Sequence, residues 1–300
     1  MLHGIQPEEV MADKSDRPAV ILALISVMCW SGAATAFKKA LAYSSPWLVV
    51  FYASVISTVV LGLVLAAGKH RITEAHFVYG LYHGFLNPFL YYLFLLNAYH
   101  GLPAQIAMVV NYLWPVVLVL LSIPLLGQKM NRKGFAGVLL SFAGVIFLAV
   151  SSGSSFSISP VHLLLALAST IIWAAYWILN TRARGSTTVV LFTGFFWGSI
   201  YLFVFGVATG QKFSIGTEIL PWILYIGVLE MGLTYILWNT ALRRASTTAA
   251  VSSMIFLTPF LALIFIQAIT GERIASFTVV GLVMVAGGIL MERRSRSNTR

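Results

Sequence analysis

Apolar residues run along this chain in long unbroken blocks, separated by short polar turns. Windows of about 20 apolar residues, enough to cross ~30 Å of hydrocarbon at ~1.5 Å per residue, fall near residues 18–37, 46–67, 77–98, 103–126, 134–151, 160–180, 187–209, 219–240, 247–269 and 276–291. This pattern predicts ten membrane-spanning helices, and no connection between them is long enough to hold a soluble domain. A transmembrane barrel is excluded, because its strands would alternate polar and apolar positions over roughly ten residues. The expected fold class is therefore an all-α polytopic membrane protein. Composition agrees: 59% of the 300 residues are hydrophobic and 9% are charged, against roughly 25% charged in soluble domains.

The net charge of +10 invites a nucleic-acid reading until the basic positions are placed. Lys14, Arg17, Lys69, Arg71, Lys129, Arg132, Lys133, Arg182, Arg184, Arg243, Arg244 and the Arg293–Arg300 cluster all fall on one side of the alternating spans. The other side holds Lys38, Lys39, Lys212 and Arg273. Short loops biased this way obey the positive-inside rule, which puts both termini in the cytoplasm. Charge spread over loops in this fashion does not make a nucleic-acid face. Residues 1–17 read as a cytoplasmic tail and residues 292–300 as a basic one. The mixed charges of the first tail do not suit a secretory leader, so the first helix is expected to be retained. Cys29 is the single cysteine, and no intramolecular disulfide can form.

The chain also resembles itself. "LALISVMCW" (Leu22 to Trp30) aligns with "LALASTIIW" (Leu165 to Trp173), and the same register pairs Tyr92 with Tyr235. "NYLWP" (Asn111 to Pro115) aligns with "IFLTP" (Ile255 to Pro259), pairing Gly127 with Gly271, Gly137 with Gly281 and Gly144 with Gly288. Two repeats of five spans follow, residues 18–151 and 160–291. Five is odd, so the second repeat enters the membrane from the opposite side. Inverted repeats of this kind build alternating-access transporters, whose substrate site lies near the midplane between the halves.

Candidate site residues come from polar and aromatic groups placed deep in spans. In the sixth span Trp173, Tyr176, Trp177 and Asn180 share one helical face. Tyr79, His83, Asn87 and Tyr91 recur every fourth residue in the third span, as do Glu230, Thr234 and Trp238 in the eighth. Trp30, Asn111 and Trp114 complete the expected cavity lining, with Ser26, Thr248, Ser252 and Phe256 as further polar or aromatic positions. Interfacial belts would account for Trp47, Tyr99 and Trp222 at span ends. Bonding across helix interfaces would account for Ser26, Ser141, Thr170 and the small stripe of Gly137, Ser141 and Gly144.

Glu230 is the one acid within a span; it reads either as a proton carrier or ammonium partner, or as a protonated structural group. His83 could hold a carboxylate when protonated, or donate a hydrogen bond when neutral. Pro88, Pro115 and Pro259 each remove a helical hydrogen bond and mark a gate or a static kink. Lys38 and Lys39 read as snorkelling anchors.

The stretch "YILWNTALRRASTTAAVSSMIFLTPFLALIFIQAITGERI", with TP followed twelve residues later by GE, resembles the EamA module of the drug/metabolite transporter superfamily; two modules cover nearly the whole chain. "NYLWP", the following "GQK" (Gly127 to Lys129) and "IWAAY" (Ile172 to Tyr176) resemble the YddG branch of aromatic amino acid exporters. The resemblance implies a bacterial inner-membrane exporter with a cavity lined by spans 1, 3, 4, 6, 8 and 9. The expected function is secondary export of aromatic and other neutral amino acids, the partners being that small-molecule substrate and the bilayer, with no cofactor and no metal. Alternatives are another small metabolite or drug on the same fold, a passive channel, or an intramembrane enzyme. Phosphorylated cargo would want Lys or Arg at the midplane, and an enzyme would want a metal cluster or a nucleophile–base pair; the spans offer neither.

Overall fold

The computed structural model describes residues 17–68, 71–127, 129–152, 158–180, 186–245 and 254–297. Lys14, Lys69, Arg182, Arg184, Thr248, Ser252 and Arg300 lie outside the described residues, as do both tails apart from Arg17 and residues 292–297.

The described chain is helical throughout. It forms α1 (Arg17–Leu41), α2 (Pro46–Ala67), α3 (74–101), α4 (Ala104–Leu126), α5 (Arg132–Ser152), α6 (Pro160–Asn180), α7 (Thr187–Ala208), α8 (Thr217–Arg244), α9 (Met254–Thr270) and α10 (Ser276–Ser297). Among the described residues eight helices are long and apolar enough to cross a membrane; α9 is apolar but shorter. α3 departs from the expected uninterrupted span, because Asn87 ahead of Pro88 leaves helical geometry (φ −144°, ψ 117°) inside a wide turn, Phe85–Leu90. The proline has no N–H to give the helix, and a residue preceding proline is driven out of the α region.

The outward faces are as oily as the interior. Leu63, Ile146, Val150, Leu164 and Ile264 are all more than 60% exposed, which suits lipid contact and not water.

Helix pairing obeys the repeat. α5 packs on its counterpart α10, and α2 packs on its counterpart α7. α1 on α8 is matched by α6 on α3, α2 on α8 by α7 on α3, and α4 on α6 by α9 on α1. Backbone irregularities repeat as well. At the matching place in the second repeat α8 widens over Tyr225–Leu233, without the proline and the non-helical residue that break α3. Pro115 and Pro259 each open the second segment of their helix, and Gly127 and Gly271 each end it in the left-handed conformation (φ 65° and 74°).

The α5–α10 seam shows why the glycine stripe is there. A Cβ on Gly137 would come 2.5 Å from the Gly288 carbonyl oxygen, and one on Gly144 would come 2.9 Å from that of Gly281. The earlier glycine of α5 meets the later one of α10, so the two helices run antiparallel. Ser141, between the two glycines, donates across the seam to the Val285 carbonyl at 3.1 Å. In lipid, where apolar burial drives no association, such close backbone approach supplies the packing energy. The two other hydroxyls expected to bridge helices do not do so: Ser26 and Thr170 bond to Leu22 and Leu167 on their own helices.

Candidate functional site

Where α1, α3, α4, α6 and α8 converge, aromatic rings meet in one cluster with Trp173 at its hub. Its indole lies nearly parallel to Tyr91 (4.4 Å, 23°) and to Tyr176 (5.2 Å, 15°), and edge-on to Trp114, Trp177 and Tyr235. Trp30 extends the cluster to Tyr235 (5.4 Å) and Trp238 (5.6 Å). Trp114 and Trp177 lie parallel to each other at 6.0 Å. Offset and edge-on contacts of this kind each contribute about 0.5–1.5 kcal/mol beyond area burial. The hub is packed against protein and only 7% exposed. Trp30, Trp114 and Trp177 are half-buried and keep accessible surface.

One edge of this cluster is polar. His83 Nδ1 lies 2.8 Å from the Tyr79 carbonyl oxygen, which fixes the proton of the neutral ring on Nδ1. The buried Nε2 then carries a bare lone pair and finds no partner. In the neutral ring Nε2 accepts a hydrogen bond and cannot donate one, while the ring's donor, Nδ1–H, is taken by the Tyr79 carbonyl. One turn on, both side-chain polar atoms of Asn87 are buried and unpartnered. The Tyr176 hydroxyl comes near the Asn87 amide without reaching hydrogen-bond geometry, and the Tyr176 ring sits 5.7 Å from His83. Trp177 Nε1 is a further buried donor without an acceptor. Buried polar groups are nearly always paired, and each one left alone costs about 1–3 kcal/mol. Together they offer the donors Asn87 Nδ2 and Trp177 Nε1 and the acceptors Asn87 Oδ1 and His83 Nε2.

Other expected residues are already engaged. Asn111 accepts from the Tyr91 hydroxyl at 3.3 Å and donates to Ser169 at 3.1 Å. Tyr79 and Asn180 are half-buried near one end of the cluster's helices. Glu230 is 7% exposed, and both its oxygens face the Tyr92 hydroxyl, at 2.8 and 2.9 Å. The Trp30 indole donates to the Glu230 carbonyl at 3.4 Å. Glu230 lies in the widened turn of α8 and Asn87 at the kink of α3, aligned positions of the two repeats, and widened turns collect at functional positions in helices. Pro88 and Pro259 are buried and Pro115 is half-buried, each at a break in its helix.

Three end-of-span residues are misplaced by the sequence reading. Trp47 (4% exposed) donates to the Leu202 carbonyl at 2.8 Å, and Tyr99 (3% exposed) packs on Phe37, so neither forms an interfacial belt. Lys38 does not snorkel; its ammonium caps α3 by donating to the Tyr99 and Leu102 carbonyls at 2.8 and 2.7 Å. Tyr92, Ser169 and Gln105 were missed as network members. Only Tyr92 carried a signal, its alignment with Tyr235.

A helical bundle of two matched halves, oily on its outer surface and aromatic and polar where the halves meet, is the build of a multi-pass membrane transporter. The EamA-like transporter family model matches residues 17–150 and again 161–292, and the chain belongs to that family. It is similar to the uncharacterized transporter YvbV of Bacillus subtilis (strain 168), 28% identical over 284 residues, which cover 92% of this chain and 91% of that protein. It is also similar to the aromatic amino acid exporter YddG of Escherichia coli (strain K12), 29% identical over 204 residues, covering 65% of this chain and 68% of that protein. The Salmonella typhimurium YddG is 30% identical over 194 residues, covering 61% and 64%. A solved crystal structure superposes with a TM-score of 0.65 at 21% identity, covering 92% of this chain and 98% of that one, which speaks for the fold alone.

Proposed function

We propose that this chain is a secondary transporter that exports aromatic and other neutral amino acids across a bacterial inner membrane by alternating access. In this reading ten helices cross the bilayer, both termini are cytoplasmic, and residues 18–151 and 160–291 are inverted repeats. The placement of Lys and Arg and the bacterial relatives support the orientation and the membrane.

One observation carries the substrate class. Unpartnered donors and acceptors on His83, Asn87 and Trp177 lie beside an aromatic cluster. A zwitterionic headgroup brings both the acceptors and the donors they lack: its carboxylate takes Asn87 Nδ2 and Trp177 Nε1, and its ammonium takes Asn87 Oδ1 and His83 Nε2. Trp114, Trp177 and Trp30 then present ring surface to the side chain, with stacking and cation–π attraction of about 0.5–2 kcal/mol each. Pro88, Pro115 and Pro259 serve as the pivots of the moving helix halves.

Uptake of radiolabelled amino acids into proteoliposomes tests this. Saturable L-phenylalanine and L-tryptophan flux with counterflow is expected, and Asn87→Ala, which removes both of its contacts to the headgroup, should raise KM at least about tenfold. Flux linear in concentration and without counterflow would mark a channel. Wild-type kinetics in Asn87→Ala would remove the headgroup site.

A further inference from the structure

Away from the aromatic cluster, the end of the bundle that carries few basic residues is tied by a polar knot. Glu272 stands just after the left-handed Gly271 that ends α9, and its carboxylate accepts from the backbone N–H of Ala104 (2.9 Å) and of Gln105 (3.2 Å) and from Gln105 Nε2 (2.8 Å). The Gln105 amide is fully used. It donates also to the Arg273 carbonyl at 2.9 Å, and accepts from Ala275 N–H at 3.1 Å and from the Thr278 hydroxyl at 2.6 Å. Lys38 caps α3 next to this point, donating to the Tyr99 and Leu102 carbonyls. Gln105, Ala104 and Thr278 have no exposed surface, while Glu272 is half-buried.

Every bond of Glu272 and Gln105 in this knot joins the first half of the chain to the second. The carboxylate sits at the N-terminus of the segment Ala104–Asn111, where free N–H groups and the helix dipole favour an anion. That segment ends at the helix break of Tyr112 and Leu113 ahead of Pro115. It is thus a short rod, clasped at one end and jointed at the other. The repeat makes the clasp one-sided. In sequence Gly271-Glu272-Arg273 corresponds to Gly127-Gln128-Lys129, an amide where this end has a carboxylate; Gln128 lies outside the described residues.

We propose that Glu272 and Gln105 form a latch that holds the path closed on the face poor in Lys and Arg, and that Ala104–Asn111 is the gate it releases. This rests on the alternating-access reading, and its first test needs no cargo. In a Cys29→Ser background, a reporter cysteine replaces Ala166, which is fully buried in α6, the helix packed against this segment. A membrane-impermeant thiol reagent is added to vesicles of either orientation. Glu272→Gln and Gln105→Ala should each speed labelling about tenfold, equal to about 1.4 kcal/mol, and only from the face poor in basic residues. Unchanged labelling in both variants, or faster labelling from the arginine-rich face, overturns the latch.

A second arm reads the gate through transport. Gln105→Cys and Glu272→Cys, combined in the Cys29→Ser background, are joined by a cleavable bis-methanethiosulfonate, and L-phenylalanine counterflow should fall to background relative to the same protein before cross-linking and return on reduction. Full counterflow in the cross-linked protein overturns the gate. A chain that carries no phenylalanine in any form leaves the labelling result to decide, so failure of the cargo and failure of the latch are told apart.

Discussion

Replacing Tyr92 by Phe removes a single hydroxyl, yet that hydroxyl is the bond between α3 of the first half and Glu230 on α8 of the second, at 2.8 and 2.9 Å to the two carboxyl oxygens. Among the described residues it is the side-chain donor these oxygens have, and no Lys, Arg or His forms an ion pair with them. A hydrogen bond contributes about 0.5–1.5 kcal/mol net, and leaving a buried polar group without its partner costs about 1–3 kcal/mol. Tyr92→Phe should therefore lower unfolding free energy by about 2–3 kcal/mol.

The same change in a Glu230→Leu background has no acceptor to strand. There it removes an orphan hydroxyl, and should be neutral or stabilising by up to about 1 kcal/mol. The coupling in this double-mutant cycle is thus expected at about 2 kcal/mol or more. Denaturant titration of the purified protein in detergent micelles, followed by tryptophan fluorescence, measures all four corners. Equal cost of Tyr92→Phe in both backgrounds would refute the claim that this hydroxyl and carboxylate act as a pair.

Three further outcomes follow from the same geometry. Gly288→Ala places a methyl 2.3 Å from the Gly137 carbonyl oxygen and 2.2 Å from Ser141 Oγ, so α5 and α10 must separate; a loss of about 1–3 kcal/mol is expected in the same titration. Lys38→Met leaves the Tyr99 and Leu102 carbonyls without their donor and should cost about 1–3 kcal/mol, whereas Lys39→Met should change stability by less than about 0.5 kcal/mol. Trp114→Ala and Trp173→Ala should differ in kind: the half-buried Trp114 loses cargo affinity, read as a rise in KM, while the buried hub Trp173 loses about 3–5 kcal/mol of stability, read as unfolding at lower denaturant.

The candidate site was legible where spacing alone brings side chains together. The face Trp173, Tyr176, Trp177 and Asn180 belongs to one unbroken helix; Tyr91 and Trp114 pack on it and Trp30 joins through Tyr235, a meeting of helices that the family resemblance implied and spacing did not. Spacing could not say which rings would be spent on each other. Trp173 and Tyr91 are buried against their own neighbours, and Asn111 is taken up by Tyr91 and Ser169. Trp47, Tyr99 and Lys38 went astray for a related reason. At a span's end a sequence offers the lipid interface as the nearest home for an amphipathic side chain, and the backbone carbonyls of distant helices, Leu202 for Trp47 and Leu102 for Lys38, are invisible to it.

The sequence by itself determined the solvent, the helices and their duplication. Those are carried by composition, by runs of about 20 apolar residues and by internal alignment, all of which are local or additive along the chain. Tertiary structure alone decided which polar groups are left without partners, which carboxylate holds a helix end, and that Gly137 and Gly144 face Gly288 and Gly281. Hydrogen bonds and backbone contacts act over about 3 Å between residues more than a hundred positions apart. Nothing in the order of residues measures that distance until the two halves are packed together.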